Sequence, residues 1–120
     1  MSGPLPTRPP LDRFPYQRHP ASRPFGPDLA LGLYVFVQDA AGIVHVIPEM
    51  EGHLHPQVLG GAEPAEAAGG LKVEAGGVIV EVDNFSGTFQ FGPEIFPQVI
   101  EALARQGATV LPGCERPFAY

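Results

Sequence analysis

The sequence predicts an α+β domain, in which a small antiparallel sheet of two β-hairpins packs against one C-terminal helix, behind a proline-rich N-terminal tail. Two pairs of strand-like runs, each joined by a glycine-containing turn, lie at residues 29–47 and 71–83 and predict the hairpins. Residues 93–106 repeat apolar side chains at a spacing of four, which predicts the helix. The 120 residues are enough for one domain, and we divide them into a tail (1–27) and a folded domain (28–120).

The predicted tail holds eight of the fifteen prolines and four arginines at intervals of five. Because proline fixes φ and has no N–H to donate, we expect neither helix nor sheet in residues 1–27. Three interpretations stay open: a disordered leader, a linker or docking peptide, and a tail that lies along the surface of the domain. In the third, the contacts would be made by its aromatic residues, Phe14, Tyr16 and Phe25.

Charge is distributed unevenly along the chain. Residues 1–27 carry four arginines and one acid, a balance of +3, whereas residues 28–120 carry three basic and twelve acidic residues, a balance of −9. We therefore do not expect nucleic acid as a partner of the folded part, although the basic tail could contact an acidic surface. No apolar run approaches the ~20 residues of a membrane span, and no signal-peptide core follows the N-terminal arginines. We expect a cytoplasmic protein, or one exported by a route without a signal peptide, and no membrane association.

Cys114 is the only cysteine, which excludes an internal disulfide. It follows a Pro-Gly pair that favours a turn, so its side chain could be exposed. The chain contains no P-loop, nucleophile elbow or dinucleotide-binding motif, and we predict no cofactor.

The first hairpin begins with residues 33–37, which are apolar on both faces and therefore typical of a central strand. Residues 39–42 form its turn, 43–47 form the return strand, and Pro48 ends that strand. The second hairpin (71–83) alternates apolar and polar residues around a glycine turn.

Between the hairpins, residues 62–68 could form one helical turn, stopped by the glycine pair at 69–70. In the C-terminal helix, Pro97 must lie in the first turn, and Gly107 suits the position just after the helix end. Residues 109–111 predict a short edge strand.

The first candidate functional residues are His53 and His55, which lie in the glycine-bounded stretch 51–61. In an extended segment both would face the same side as Glu51, and His45 could join them from the neighbouring strand. Imidazole and carboxylate suit zinc or another transition metal, but the spacing also fits ordinary hydrogen-bonded histidines or a histidine that acts as acid or base. We predict no metal site and keep both histidines as catalytic candidates, should the protein be an enzyme.

The second candidate is the segment 84–89, in which Ser86 and Thr88 flank a glycine. It is either a turn whose side chains cap their own backbone or a bend that contacts a ligand. Ser86 and Thr88 are the corresponding catalytic candidates in an enzyme. The predicted binding residues are Gly60, Asn84, Gly87 and Phe89.

From about residue 33 to residue 103, the order of these motifs resembles a β-rich domain of bacterial effectors and polymorphic-toxin C-terminal regions. It is also similar to part of the plant IQ-motif proteins. That family places a His-Ser-Ser-x-Leu-x-Gly segment, an Ala-Gly-Glu strand start and a Ser-Gly-His-Tyr motif in this order. The corresponding segments are 52–61, 67–73 and 83–89. Thr88 and Phe89 stand where the family has His and Tyr, and a glycine replaces the acid, so the resemblance implies the fold more directly than it implies catalysis.

We favour a non-catalytic bacterial interaction module, in which the sheet face near His55 and Thr88 holds a protein partner or a small ligand. The absence of the His-Tyr pair and of any recognisable catalytic set favours this hypothesis. The sequence does not predict an oligomeric state.

The alternative is a toxin-type effector enzyme that acts on a nucleotide or RNA. It would need a general base, a contact to phosphate and a side chain that stabilises charge. The residues for these roles would be, in that order, His53 or His55, Ser86 or Thr88, and Lys72 or Arg105. A metal-bound β-fold enzyme is a third hypothesis and would rest on the histidines at 45, 53 and 55 alone.

Overall fold

The structure is a computed structural model that describes residues 19–49, 58, 65–86 and 90–119. Seven strands form one mixed sheet. They are β1 (Arg23–Pro24), β2 (Gly32–Gln38), β3 (Val44–Pro48), β4 (Ala67–Glu74), β5 (Val78–Asp83), β6 (Thr109–Val110) and β7 (Glu115–Arg116). A 3-10 turn (Pro93–Ile95) leads into the C-terminal helix, α1 (Phe96–Arg105).

The strand order is β1-β3-β2-β4-β5-β6, and β7 also pairs with β5. The pairs β2–β3 and β4–β5 are the two predicted hairpins, and β2 lies between β3 and β4 as the predicted central strand. The prediction of a purely antiparallel sheet of two hairpins is only roughly matched. Both β6 and β7 run parallel to β5, because α1 carries the chain back before it enters the sheet again.

The prediction that residues 1–27 form no sheet is wrong at Arg23–Pro24, which pairs with β3 at the sheet edge. An edge strand tolerates proline, since its outer side has no neighbour to which an N–H would donate. The next residue, Phe25, donates its N–H to Val44 O at 2.9 Å, and its side chain is 3% exposed. Phe25 is therefore part of the core.

The predicted helical turn at 62–68 is wrong at its end, because β4 begins at Ala67 and continues through the glycine pair. Gly69 lies opposite Phe36 of β2, and a Cβ at Gly69 would overlap the carbonyl oxygen of Asp83. The glycines therefore do not stop a helix. They let the end of β5 approach β4 closely.

Helix α1 covers one face of the sheet, as predicted. Gln98 Nε2 of α1 donates to Gln38 Oε1 at 2.7 Å, and the Gln106 side chain bonds both the N–H and the carbonyl of Val44. The apolar residues that α1 buries are Phe96, Val99, Ala102 and Leu103. We call the opposite side of the sheet the outer face.

The boundaries of α1 agree with the sequence prediction. Pro97 lies in the first turn. The chain leaves the helix at Gly107, whose φ of 97° is a conformation that favours glycine. Within the described residues, no helix is both long enough and apolar enough to cross a membrane.

Cys114 is buried, in contrast to the exposed thiol that the preceding Pro-Gly pair allowed. Its carbonyl accepts the N–H of Val82 at 3.0 Å, just before β7 begins. Pro112 and Gly113 do form a turn, but Cys114 then leads directly into β7, and the Cys114 side chain is part of the core.

Candidate functional site

Most of the predicted site residues lie outside the described part of the chain. This applies to His53, His55, Gly60, Gly87, Thr88 and Phe89. Whether the two predicted stretches share one site therefore stays a prediction. Asn84 and Ser86 are described, and both are fully buried.

The side chain of Asn84 joins three segments of the fold. Its Nδ2 donates to Phe91 O at 2.7 Å and to Phe118 O at 2.9 Å, and its Oδ1 accepts the N–H of Phe118 at 2.6 Å. The amide thus ties the end of β5 to the segment before α1 and to the segment after β7. Ser86 is equally buried, so its hydroxyl does not face solvent in this structure.

A groove of about 430 Å³ opens on the sheet, with charged side chains of the outer face around it. Its lining residues are Leu33, Tyr34, Glu49, Gly70, Leu71, Lys72, Glu81, Asp83 and Arg116. Strand pairing places the outer-face members side by side. Leu33 lies opposite Lys72, Lys72 lies opposite Glu81, and Asp83 lies opposite Arg116.

Glu81 lies between the two cations of the groove. Its Oε1 is 3.3 Å from Arg116 Nε, and its Oε2 is 3.9 Å from Lys72 Nζ. The second distance is too long for a direct hydrogen bond, so the Lys72 ammonium remains accessible to another anion. The lining carries three acids and two cations, a net charge of −1, with both signs in one recess.

Asp83 is held in place by the backbone around it. Its Oδ1 accepts the N–H of Gly70 at 2.8 Å and the N–H of Phe85 at 2.9 Å. Two backbone donors fix the carboxylate at the end of the groove without a cation. A ligand ammonium would therefore meet a carboxylate that is already oriented.

A second polar cluster lies at the β2–β3 turn. His45 Nε2 is 2.7 Å from Asp39 Oδ2, and Asp39 Oδ1 accepts the N–H groups of Ala41 and Ile43. Burial, and then the Asp39 carboxylate, raises the pKa of Glu66. His45 is 9% exposed, so the imidazole is oriented by a fixed carboxylate but is largely shielded from solvent. In the described ranges, no group of three His, Cys, Asp or Glu side chains is arranged to hold a metal ion.

Sequence reasoning did not identify the groove. Of its charged residues, only Lys72 was considered, as a charge-stabilising group in the enzyme hypothesis. Apolar and polar residues alternate in β4 and β5, and this pattern places the opposite charges of Lys72 and Glu81 on the same face of the hairpin. That pairing could have indicated a charged surface from the sequence. No comparable signal identified Arg116, since the parallel pairing of β7 with β5 is not visible in the local pattern.

Comparison with known proteins identifies no relative of this chain. No family model matches the chain, and no curated protein or solved structure matches it significantly.

Proposed function

We propose that this chain is a non-catalytic ligand-binding module of the bacterial effector-type class that its sequence resembles, and that the groove holds a small ligand. The observation that carries the proposal is a recess of about 430 Å³ built on paired strands, which is within the range of small-molecule sites. The order of the sequence motifs supports the effector-type class.

The chemistry of the groove favours binding over catalysis. Its described lining contains no His, Cys, Ser or Thr, and two of its carboxylates are already engaged: Glu81 by the neighbouring cations and Asp83 by backbone N–H groups. It offers instead a cation at Lys72, an oriented carboxylate at Asp83 and an exposed apolar side chain at Leu33. These groups can recognise a ligand without altering it.

Amide NMR spectra of the full chain test this proposal. A panel of amino acids, dicarboxylates, polyamines and nucleotides would be titrated, and we expect at least one compound to shift the amides of Gly70, Lys72 and Glu81. The variant Lys72→Gln should weaken the binding of an anionic or zwitterionic ligand about 5- to 10-fold, which corresponds to about 1 kcal/mol, the scale of one ordinary hydrogen bond.

Arg105→Gln is the matched control, because Arg105 is an exposed cation on α1 that pairs with Glu101 and does not line the groove. It should leave the affinity unchanged. A panel in which no compound shifts the groove amides would overturn the proposal, as would equal losses in Lys72→Gln and Arg105→Gln.

The alternative is a toxin-type effector enzyme that acts on a nucleotide or RNA and uses His53 or His55 with Ser86 or Thr88. An oriented imidazole of the kind that a general base requires is present at His45, 2.7 Å from Asp39, although this ring is largely shielded from solvent and is not one of the four candidates. The burial of Ser86 counts against the enzyme. Growth arrest on expression of the native chain that is lost in the double variant His53→Ala/His55→Ala would establish the enzyme and reject the module.

A further inference from the structure

Two exposed phenylalanine rings pack against each other beyond the ends of β5 and β7. The centroids of Phe85 and Phe118 are 4.7 Å apart, and the rings meet edge to face at 83°. Phe85 remains 55% exposed and Phe118 39% exposed. An edge-to-face pair contributes about 0.5–1.5 kcal/mol beyond its buried area, yet it leaves much aromatic surface in water here. Because ligand sites are lined mainly by apolar and aromatic side chains, this exposed pair is a candidate ligand contact.

The aromatic pair continues the charged groove. Phe85 is exposed and follows the groove residue Asp83 by two positions. Phe85 also donates its N–H to Asp83 Oδ1. Phe118 follows the groove residue Arg116 by two positions and contacts the Phe85 ring. The chain thus places an aromatic surface next to the paired groove residues Asp83 and Arg116.

The charges of the groove select the kind of ligand that could use this surface. Lys72 and Arg116 supply positive charge, whereas Glu49 and Asp83 supply negative charge on the same lining. A ligand with several negative charges, such as a nucleotide, would be attracted by two cations but repelled by three acids, since Glu81 is also present. A molecule with one group of each sign can pair with both sets.

We infer that the groove binds a small aromatic zwitterion, a molecule with a carboxylate, an ammonium group and an aromatic ring, as in an aromatic amino acid. This inference rests on the proposed function and names the ligand class of the same site. The ligand carboxylate contacts Lys72, its ammonium contacts Asp83, and its ring packs on Phe85. An aromatic ring packed in this way gains apolar burial together with an edge-to-face or stacked contact.

The experiment uses L-phenylalanine and three analogues, each of which lacks one recognised group. These are 3-phenylpropionate without the ammonium, phenethylamine without the carboxylate, and L-alanine without the ring. Titrations followed by amide NMR should show groove shifts with L-phenylalanine and affinities about 5- to 10-fold weaker for each analogue. Adenosine monophosphate is included as the nucleotide arm.

Two variants assign the contacts within the groove. Lys72→Gln should weaken L-phenylalanine but leave phenethylamine unchanged, because only the first ligand carries a carboxylate. Phe85→Leu should weaken L-phenylalanine but leave L-alanine unchanged. Leu111→Ala, which removes an exposed apolar side chain outside the groove lining, should affect neither ligand.

The outcomes separate this inference from the proposed function. If any of the three analogues or adenosine monophosphate binds the groove as tightly as L-phenylalanine, the aromatic zwitterion is the wrong class, whereas a ligand-binding module still stands. The same holds if L-phenylalanine shifts nothing while another compound of the panel shifts the groove amides. If no compound shifts them, both the inference and the proposed function fail.

Discussion

Replacement of Asn84 by alanine should destabilise the fold far more than replacement of an ordinary polar residue. The substitution removes two hydrogen bonds that Nδ2 donates, to Phe91 O and Phe118 O, and one that Oδ1 accepts from Phe118 N–H. At roughly 1 kcal/mol of net stability per buried hydrogen bond, the loss is about 3 kcal/mol. The loss exceeds this value if no water molecule hydrogen-bonds to the three backbone groups that lose their partner, which are the Phe91 carbonyl and the Phe118 carbonyl and N–H. The whole stability of a domain this size is about 5–15 kcal/mol, so the effect is large.

Urea unfolding followed by circular dichroism measures this loss as a change in the free energy of unfolding. The matched variant Asn84→Asp keeps an acceptor for Phe118 N–H but points a carboxylate oxygen at two carbonyl oxygens. Because those contacts disfavour the charged form, the folded state holds the proton of the introduced carboxyl more tightly than the unfolded state does. Its pKa is then raised on folding, and the stability of the variant relative to the native chain should fall as the pH rises from about 4 to about 7.

A loss below about 1 kcal/mol for Asn84→Ala, within the range of ordinary surface substitutions, would refute this reasoning. So would an Asn84→Asp variant whose deficit does not grow with pH. In either case Asn84 would not be the residue that joins the end of β5 to its two neighbouring segments. The ligand-binding role that the sequence predicts for Asn84 would then be favoured over a structural role.

Three further outcomes follow from burial and close packing. Gly69→Ala should cost about 1–3 kcal/mol or more in urea unfolding, because the new methyl group overlaps the backbone carbonyl of Asp83. Gly70→Ala should cost less, because its methyl group meets side-chain atoms of Asp83 and no backbone atom, and equal costs would contradict the packing argument. Glu66→Gln should raise the Tm relative to the native chain at about pH 7 but not at about pH 4. The raised pKa of Glu66 means that its protonated form stabilises the fold at low pH, a contribution lost as the pH rises; an equal shift of Tm at both pH values would contradict this sign. Burial raises the pKa of the Cys114 thiol, so a thiol reagent should react roughly 10-fold or more slowly with the folded chain than with the chain in urea, and equal rates would show an accessible thiol.

The amino-acid sequence by itself determined the regular elements of the centre of the fold. The run at 33–37, apolar on both faces, became the central strand β2, and the alternation at 71–83 became the hairpin of β4 and β5. Apolar residues repeated at every fourth position predicted α1, and Pro97 and Gly107 marked its two ends. These features depend on local backbone geometry and on which side chains share a face, which are properties of neighbouring residues.

Only the tertiary structure decided which segments complete the sheet. Arg23–Pro24 reads as tail and Glu115–Arg116 as an irregular end, because their hydrogen-bonding partners lie in β3 and β5, far away in the chain. Local propensity cannot report such pairing. The same limit explains why residues 67–68 were predicted as helix, since small residues carry little strand signal until a neighbouring strand requires the space that they leave.

The candidate site depended on tertiary structure to a greater degree. Polar residues after a strand predict either a turn or a ligand contact, and only the packing of the segments that contain Phe91 and Phe118 made Asn84 a buried structural amide. The groove, conversely, combines Glu81 of β5 and Arg116 of β7 with Glu49, which follows the end of β3. Their charges acquire a common function only when pairing places them around one recess, because a binding site is defined by distances between side chains and not by positions along the chain.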